Sequence, residues 1–150
     1  MVVYEGPGDV FKHDEGILLV PVNIDGIMGK GIAAYIRATY PEVYRRYRVM
    51  CKDGKFGLNS LMLFEVRKGL KLLLIPTKQH WYDVSTTELL EQNLRKLVES
   101  VERLGDGKIY TPALGCGVNT GTLEYRKVRH IFRYWFDRIP NDVYIYSEWR

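Results

Sequence analysis

The sequence predicts a layered α/β fold, a three-layer α/β/α sandwich with a mixed, mostly parallel central sheet. Short apolar runs of strand length alternate along the chain with segments of helical periodicity, and glycine-rich loops follow two of the apolar runs. No repeat, low-complexity tract or linker interrupts the 150 residues, so residues 1–150 read as a single domain, large enough to bury a continuous core.

The elements follow in order. Residues 2–5 form a short strand ended by Gly6-Pro7-Gly8, and ILLVPV at 17–22 is a continuous apolar run, the mark of a strand covered on both faces. Residues 31–40 read as a helix that stops before Pro41, and 41–51 as a second helix with proline in its first turn. Segments 60–66 and 70–76 are β-rich and joined by Arg67-Lys68-Gly69, a hairpin turn. Ser85-Thr86-Thr87-Glu88 matches a capping box, after which Leu90, Leu94, Leu97, Val98, Val101 and Leu104 recur at helical spacing, predicting one long helix that Gly105 ends. Residues 109–114 make another strand, 124–136 a helix with Val128, Ile131, Phe132 and Trp135 on one side, and 143–146 a last strand.

Composition narrows the class. Hydrophobic residues are 46% and charged residues 27%, with no apolar run long enough to span a bilayer, so no membrane partner is expected. MVVYEGPGDVFKHDEG lacks the basic, apolar and small-residue regions of a secretion signal, which gives a cytoplasmic expectation. Cys51 and Cys116 are far apart and lack the spacing of a zinc or redox pair, so both read as free thiols, and neither a metal nor a cofactor is expected. A formal charge of +4 leans towards an anionic partner without demanding one.

Two loops carry the chemistry. Residues 23–31 follow the ILLVPV strand and hold Gly26, Gly29 and Gly31. Residues 114–121, LGCGVNTG, follow IYTPA. In sheets of this class ligands settle at the carboxyl ends of the strands, where both loops fall. Glycine lets backbone N–H groups approach a ligand with no side chain between, and a helix N-terminus behind such a loop favours a phosphate or diphosphate. A single glycine loop is as readily a plain tight turn; two at strand ends argue for a ligand. Neither the P-loop pattern nor G-x-G-x-x-G is present.

With these residues laid out, the chain resembles the macrodomain family, which folds as a three-layer sandwich and binds ADP-ribose. Gly8-Asp9-Val10-Phe11 is similar to the family's early GD-x-F segment. Val22-Asn23 with Met28-Gly29-Lys30-Gly31-Ile32-Ala33 resembles its first ligand loop, and Pro112-Ala113-Leu114-Gly115-Cys116-Gly117 its second. Pro76-Thr77-Lys78-Gln79-His80-Trp81, followed by Ser85, is similar to the TK-x-HW motif of one branch, that of DNA ADP-ribosyl glycohydrolase antitoxins and terminal ADP-ribose protein glycohydrolases. The resemblance covers the chain from about residue 6 to the end. Antitoxin members commonly carry a further C-terminal domain for toxin neutralisation, which these 150 residues do not include, so a toxin partner is left open and unsupported.

The resemblance implies roles residue by residue. Asp9 accepts a hydrogen bond from the adenine amino group, and the Val10 backbone helps fix the ring. Asn23 holds the distal ribose. Gly29, Lys30, Gly31 and Ile32 from the first loop, with Gly115, Cys116, Gly117, Val118 and Asn119 from the second, wrap the diphosphate and distal ribose. Tyr146 or Ser147 borders the adenine. Lys78 is the catalytic residue, a nucleophile or electrostatic catalyst at the anomeric carbon. Chemistry agrees, because an unprotonated amine can attack an oxocarbenium-like carbon or condense with the opened sugar aldehyde. Taken alone Lys78 reads as a solvated surface lysine; the HW context assigns it to the site, with His80 satisfied by backbone partners and Trp81 packed beneath the loop.

Protein-directed members of the branch use a carboxylate in the second loop to resolve the lysine adduct. Here that position is Asn119, which can orient a hydroxyl but cannot act as a base. Glu124 is either a displaced carboxylate or a favourable charge at a helix start. DNA-directed members do not all keep that carboxylate and are the closer analogy. The runs Tyr44-Arg45-Arg46-Tyr47-Arg48 with Lys52, and Arg126, Lys127, Arg129 and Arg133, either contact single-stranded DNA or are solvated helix faces with Tyr44 and Tyr47 half-buried. The sequence therefore carries three functional readings: an ADP-ribosyl glycohydrolase acting on a macromolecule, foremost a DNA base; a non-catalytic ADP-ribose-binding module; and an ADP-ribose 1″-phosphate phosphatase.

Overall fold

The structure, a computed structural model, describes residues 1–28, 31–117 and 123–149. Six strands form one sheet in the order β1-β6-β5-β2-β4-β3, with β1 Val2–Gly8, β2 Gly16–Val22, β3 Met62–Arg67, β4 Leu70–Pro76, β5 Ile109–Pro112 and β6 Val143–Trp149. Every neighbouring pair is parallel except β3 and β4, a hairpin that closes through Lys68 and Gly69, the latter at φ +86°. Helices α1 Ile32–Thr39 and α2 Pro41–Lys52 cover one face. Helices α3 Thr87–Glu99, α4 Val101–Leu104 and α5 Tyr125–Phe136 cover the other.

Why β2 is a central strand is visible in its alternation. Ile17 and Leu19 point into a core shared with Leu90, Leu94, Leu97, Phe132 and Phe136; Leu18, Val20 and Val22 point into a second core with Ile36, Val43 and Tyr47. A strand buried on both faces has no polar side to spare, hence the continuous apolar run. Because five strands are parallel, their carboxyl ends lie along one edge of the sheet. The loops after β2, β4 and β5 meet there.

Several expectations need correction, among them the last strand, which runs on from Tyr146 to Trp149, and β5, which stops at Pro112 and not at Leu114. β1 runs on through Gly8, pairing Gly6, Pro7 and Gly8 with Tyr146, Glu148 and Trp149 across a register shift. The long helix is two: the Ser100 hydroxyl donates to the Lys96 carbonyl at 2.8 Å and its N–H also turns back on Lys96, which ends α3 at Glu99 before the single turn of α4. The cap of α3 is Thr86, whose Oγ1 accepts from the Leu89 N–H at 3.2 Å, while Ser85 is turned inward. On α5 the fourth buried residue is Phe136, with Trp135 only partly covered. Among the described residues no helix is long and apolar enough to cross a membrane.

Candidate functional site

The loop after β4 is stitched to the loop after β2. The Thr77 N–H donates to the Val22 carbonyl at 3.0 Å, and the Ile24 N–H donates to the Gln79 carbonyl at 3.0 Å. The first bond closes the last regular ladder pair, Val22 with Pro76; the second is slipped by two residues, and between the two the chain at Lys78 runs beside that at Asn23. Lys78 is partly buried, and no ion pair reaches its amine among the described residues.

Asn23 is 7% exposed and shapes its own loop while keeping one amide N–H to spare. Its Nδ2 donates to the Ile27 carbonyl at 3.0 Å, and its Oδ1 accepts from the Asp25 N–H at 3.0 Å. From beneath, the Tyr47 hydroxyl stands 2.7 Å from the Asn23 carbonyl and 2.9 Å from Oδ1. Tyr47 is wholly buried, not half-buried, and burial pushes its phenol far above the ordinary range, so it stays a neutral donor.

A second tie comes from Asp25, which sequence reasoning passed over. Its Oδ1 lies 2.7 Å from His80 Nδ1, and its Oδ2 accepts from the Trp81 N–H at 3.2 Å. The hydrogen bond to Asp25 raises the His80 imidazole above its ordinary value of 6.5. Asp83 completes the turn, its Oδ2 accepting from the His80 N–H at 2.9 Å. The His80 ring is thus satisfied by a carboxylate and not by backbone. Trp81 is not packed under the loop: it is 60% exposed. An acidic residue two positions after the loop asparagine was the available signal, but its partner lies 55 positions away.

The third tie reaches the second glycine loop. Buried Ser85 donates from Oγ to the Thr77 carbonyl at 2.9 Å and packs against Gly115, where a Cβ would stand 3.1 Å from that of Ser85. Gly115 also sits at φ +77°, so it needs glycine for both reasons. Its carbonyl accepts from the Leu123 N–H at 2.9 Å, and the Cys116 N–H is engaged within the turn by the Ala113 carbonyl at 2.9 Å. Burial pushes the Cys116 thiol up to about 11, which keeps it protonated at neutral pH. Gly117 follows directly. Gly31 caps α1 at φ +70° and Ile32 begins it. Gly29, Lys30, Val118 and Asn119 lie outside the described residues.

At the other end of the same edge is a cleft of about 420 Å³, lined among others by Gly8, Asp9, Lys12, His13, Tyr144 and Tyr146. Asp9 Oδ1 accepts from the Phe11 N–H at 2.9 Å, capping a short 3₁₀ turn at Val10–Lys12 whose Val10 side chain is buried. His13 stacks on Tyr110 with ring centroids 3.5 Å apart and meets the Tyr146 hydroxyl at 2.5 Å; burial lowers its pKa. The Tyr146 ring covers Gly8 so closely that a Cβ there would stand 2.2 Å from Cδ1.

Other sequence candidates fall away from the site. Glu124 stands at the start of α5 and pairs with Lys127 at 3.2 Å and Arg126 at 3.7 Å, a helix-terminus arrangement. Arg129 and Arg133 hold Glu5, together with the Tyr125 hydroxyl, so this stretch of the basic helix is structural. Among the described residues no group of three His, Cys, Asp or Glu side chains could hold a metal ion.

A sheet with five parallel strands, helices on both faces and three interlocked loops at the strand ends defines a three-layer α/β/α domain. The Macro domain family model matches residues 20–131, and the chain belongs to the macrodomain family. It is 34% identical to the DNA ADP-ribosyl transferase-DNA ADP-ribosyl glycohydrolase fusion protein of Thermosipho africanus, over 93% of this chain and 40% of that protein. It is 31% identical to the DNA ADP-ribosyl glycohydrolase of Mycobacterium tuberculosis, over 97% of this chain and 42% of that protein. The chain therefore spans about two fifths of the length of the curated relatives it matches. Its fold superposes on the solved structure of Thermosipho africanus DarTG in complex with ADP-ribose with a TM-score of 0.82 and 29% identity, covering 95% of this chain and 40% of that one.

Proposed function

We propose that this domain is an ADP-ribosyl glycohydrolase that removes ADP-ribose from a macromolecule, foremost a DNA base, through Lys78. The observation that carries the reading is the bracketing of Lys78 beside Asn23 by the two backbone bonds that join the loops after β2 and β4. Membership of the macrodomain family and the glycohydrolase names of its relatives support it.

In this reading the adenine occupies the cleft at Asp9, Val10 and Tyr146. The diphosphate lies along Gly29, Lys30, Gly31 and Ile32 and along Gly115, Cys116, Gly117, Val118 and Asn119, and the distal ribose reaches Asn23. The anomeric carbon then faces the Lys78 amine. The bond from that carbon to the base nitrogen breaks, its electron pair leaves with the base, and the nitrogen takes a proton from solvent. The Lys78 ammonium gives a proton to solvent and the amine so formed makes the new bond to the carbon; water then displaces it, one proton of that water passes back to the amine, and ADP-ribose is released.

Calorimetry with ADP-ribose comes first, since failure to bind removes the reading. ADP-ribosylated single-stranded DNA is then restored by the wild type and not by Lys78→Ala, with both still binding ADP-ribose. Asn119 in the carboxylate position favours a second reading, a non-catalytic ADP-ribose-binding module. Binding without release by either protein would establish that one, and phosphate release from ADP-ribose 1″-phosphate alone would make the domain a phosphatase.

A further inference from the structure

We infer that Trp81 and Tyr82 form a base-stacking ridge that holds the nucleotides flanking the modified base of a single-stranded DNA substrate, with Arg48 and Lys52 of α2 taking its phosphates. This deepens, and rests on, the reading of the site as a DNA ADP-ribosyl glycohydrolase.

Two large aromatic side chains stand side by side in solvent, Trp81 60% and Tyr82 65% exposed. Their ring centroids are 5.5 Å apart with planes at 79°. They are held firmly all the same. Tyr82 lies flat on His80, centroids 5.1 Å apart and planes at 2°, and that ring is fixed by Asp25. The Trp81 backbone is held by Asp25, and the His80 backbone by Asp83. A rigid, uncovered aromatic surface forgoes the stabilisation of burial and is kept where a partner supplies the covering.

Position and charge identify the partner. Trp81 is three residues beyond Lys78, a span of at most about 10 Å, so a base held at the anomeric carbon has its neighbours within reach of the ridge. Gly26, next to Asp25, packs on α2: a Cβ there would stand 3.5 Å from Arg48 Cα. Arg45, Arg48 and Lys52 recur at helical spacing along one exposed face of α2. Arg45 pairs with Glu42, whereas Arg48 and Lys52 have no ion pair among the described residues. The nearby carboxylates Asp25 and Asp83 are occupied by the loop itself. Ring faces on one side of Asp25-Gly26 and unpaired cations on the other suit a strand of bases and phosphates, because every base has a π-face and every linkage a charge.

The test compares ADP-ribosylated single-stranded oligonucleotides of about ten nucleotides, within the usual single-strand site size, with the ADP-ribosylated mononucleoside. Trp81→Ala and Tyr82→Ala should each raise KM on the oligonucleotide roughly five- to 150-fold, the range expected for one lost stacked base, and leave KM on the mononucleoside and the ADP-ribose Kd unchanged. Trp81→Phe should retain most of the affinity. Arg48→Gln should lower the slope of log KM against log salt by about 0.7, the loss of one phosphate contact on a single strand. An active wild type whose oligonucleotide KM is indifferent to Trp81→Ala overturns the inference, as does a loss confined to an ADP-ribosylated protein substrate, which would make the ridge a protein contact. If the wild type releases nothing from DNA, the reading of the site fails instead. Quenching of tryptophan fluorescence by unmodified oligonucleotide, present in the wild type and absent in Trp81→Phe, then decides the ridge independently.

Discussion

Replacing Tyr47 by phenylalanine removes one oxygen from a fully buried ring, and with it both the support beneath Asn23 and the partner of the Gly26 N–H. The hydroxyl has a single proton to share between the Asn23 carbonyl at 2.7 Å and Oδ1 at 2.9 Å. Oδ1 keeps the Asp25 N–H, so on Asn23, a residue 7% exposed, the loss falls on the carbonyl, while the Gly26 N–H loses its acceptor. A net hydrogen bond contributes about 1 kcal/mol, and a desolvated acceptor without a partner costs about 1–3 kcal/mol. Phenylalanine preserves the packing against Phe56, so there is no cavity cost, and the expected destabilisation is about 1–3 kcal/mol. For a chain of this size that lowers the Tm by roughly 2–4 °C per kcal/mol. Because the same hydroxyl positions Asn23, ADP-ribose binding should weaken by roughly three- to tenfold, the equivalent of about 1 kcal/mol of positioning. Urea unfolding and calorimetry measure both quantities. A variant with wild-type stability and unchanged ADP-ribose Kd would refute the argument that Tyr47 holds the first loop.

Gly8→Ala places a methyl 2.2 Å from Tyr146 Cδ1, in a ring already packed against Tyr4 and His13; it should cost about 1–3 kcal/mol in unfolding and more than about tenfold in ADP-ribose affinity by calorimetry. For Glu5, burial opposes ionisation, yet the hydrogen bonds from Arg129, Tyr125 and Arg133 hold its carboxyl down to about 2. Since the folded pKa is depressed from 4.5, this stabilisation is present above about 4.5 and lost as pH falls towards about 2. Glu5→Gln should remove that part of the acid dependence in a pH series of melts. His80 has the opposite sign: its raised folded pKa means that the Asp25 contact stabilises below 6.5 and fades as pH rises through the folded value. NMR should place the His80 titration above 6.5 in the wild type and shift it down in Asp25→Asn.

The sheet was legible in the residues because its central strands are buried on both faces. ILLVPV and LKLLLIP leave no polar face to confuse with a helix, and Arg67-Lys68-Gly69 supplies the left-handed glycine the hairpin turn uses. Helix boundaries were less so. LVESVERL continues the helical pattern through Ser100, and periodicity cannot register a hydroxyl that turns back on the Lys96 carbonyl. The loop motifs marked where a ligand would lie, but the ties that shape the loops span 24 positions for Tyr47 and Asn23 and 55 for Asp25 and His80. Contacts of that range leave no local pattern. Trp81 was placed under the loop because large aromatics are usually covered, an average that fails where a ring meets solvent.

Placement and chemistry are carried by different parts of this edge. Each bond that sets Lys78 beside Asn23 is made between described residues: Thr77 to Val22, Ile24 to Gln79, Tyr47 to Asn23, Asp25 to His80 and Trp81, and Ser85 to Thr77. None of these bonds involves residues 118–122, the part of the second loop that contains Asn119. Exchange of a carboxylate for an amide at Asn119 therefore bears on how a lysine adduct would be resolved and not on these ties. Three independent ties also hold the segment that carries Lys78 more tightly than one, because a loop joined at several points has less conformational freedom to lose when a ligand binds. The segment from Thr77 to Ser85 is irregular in backbone, yet it is anchored at Thr77, Gln79, His80, Trp81 and Ser85, so the backbone that carries Lys78 is tied down on both sides of it.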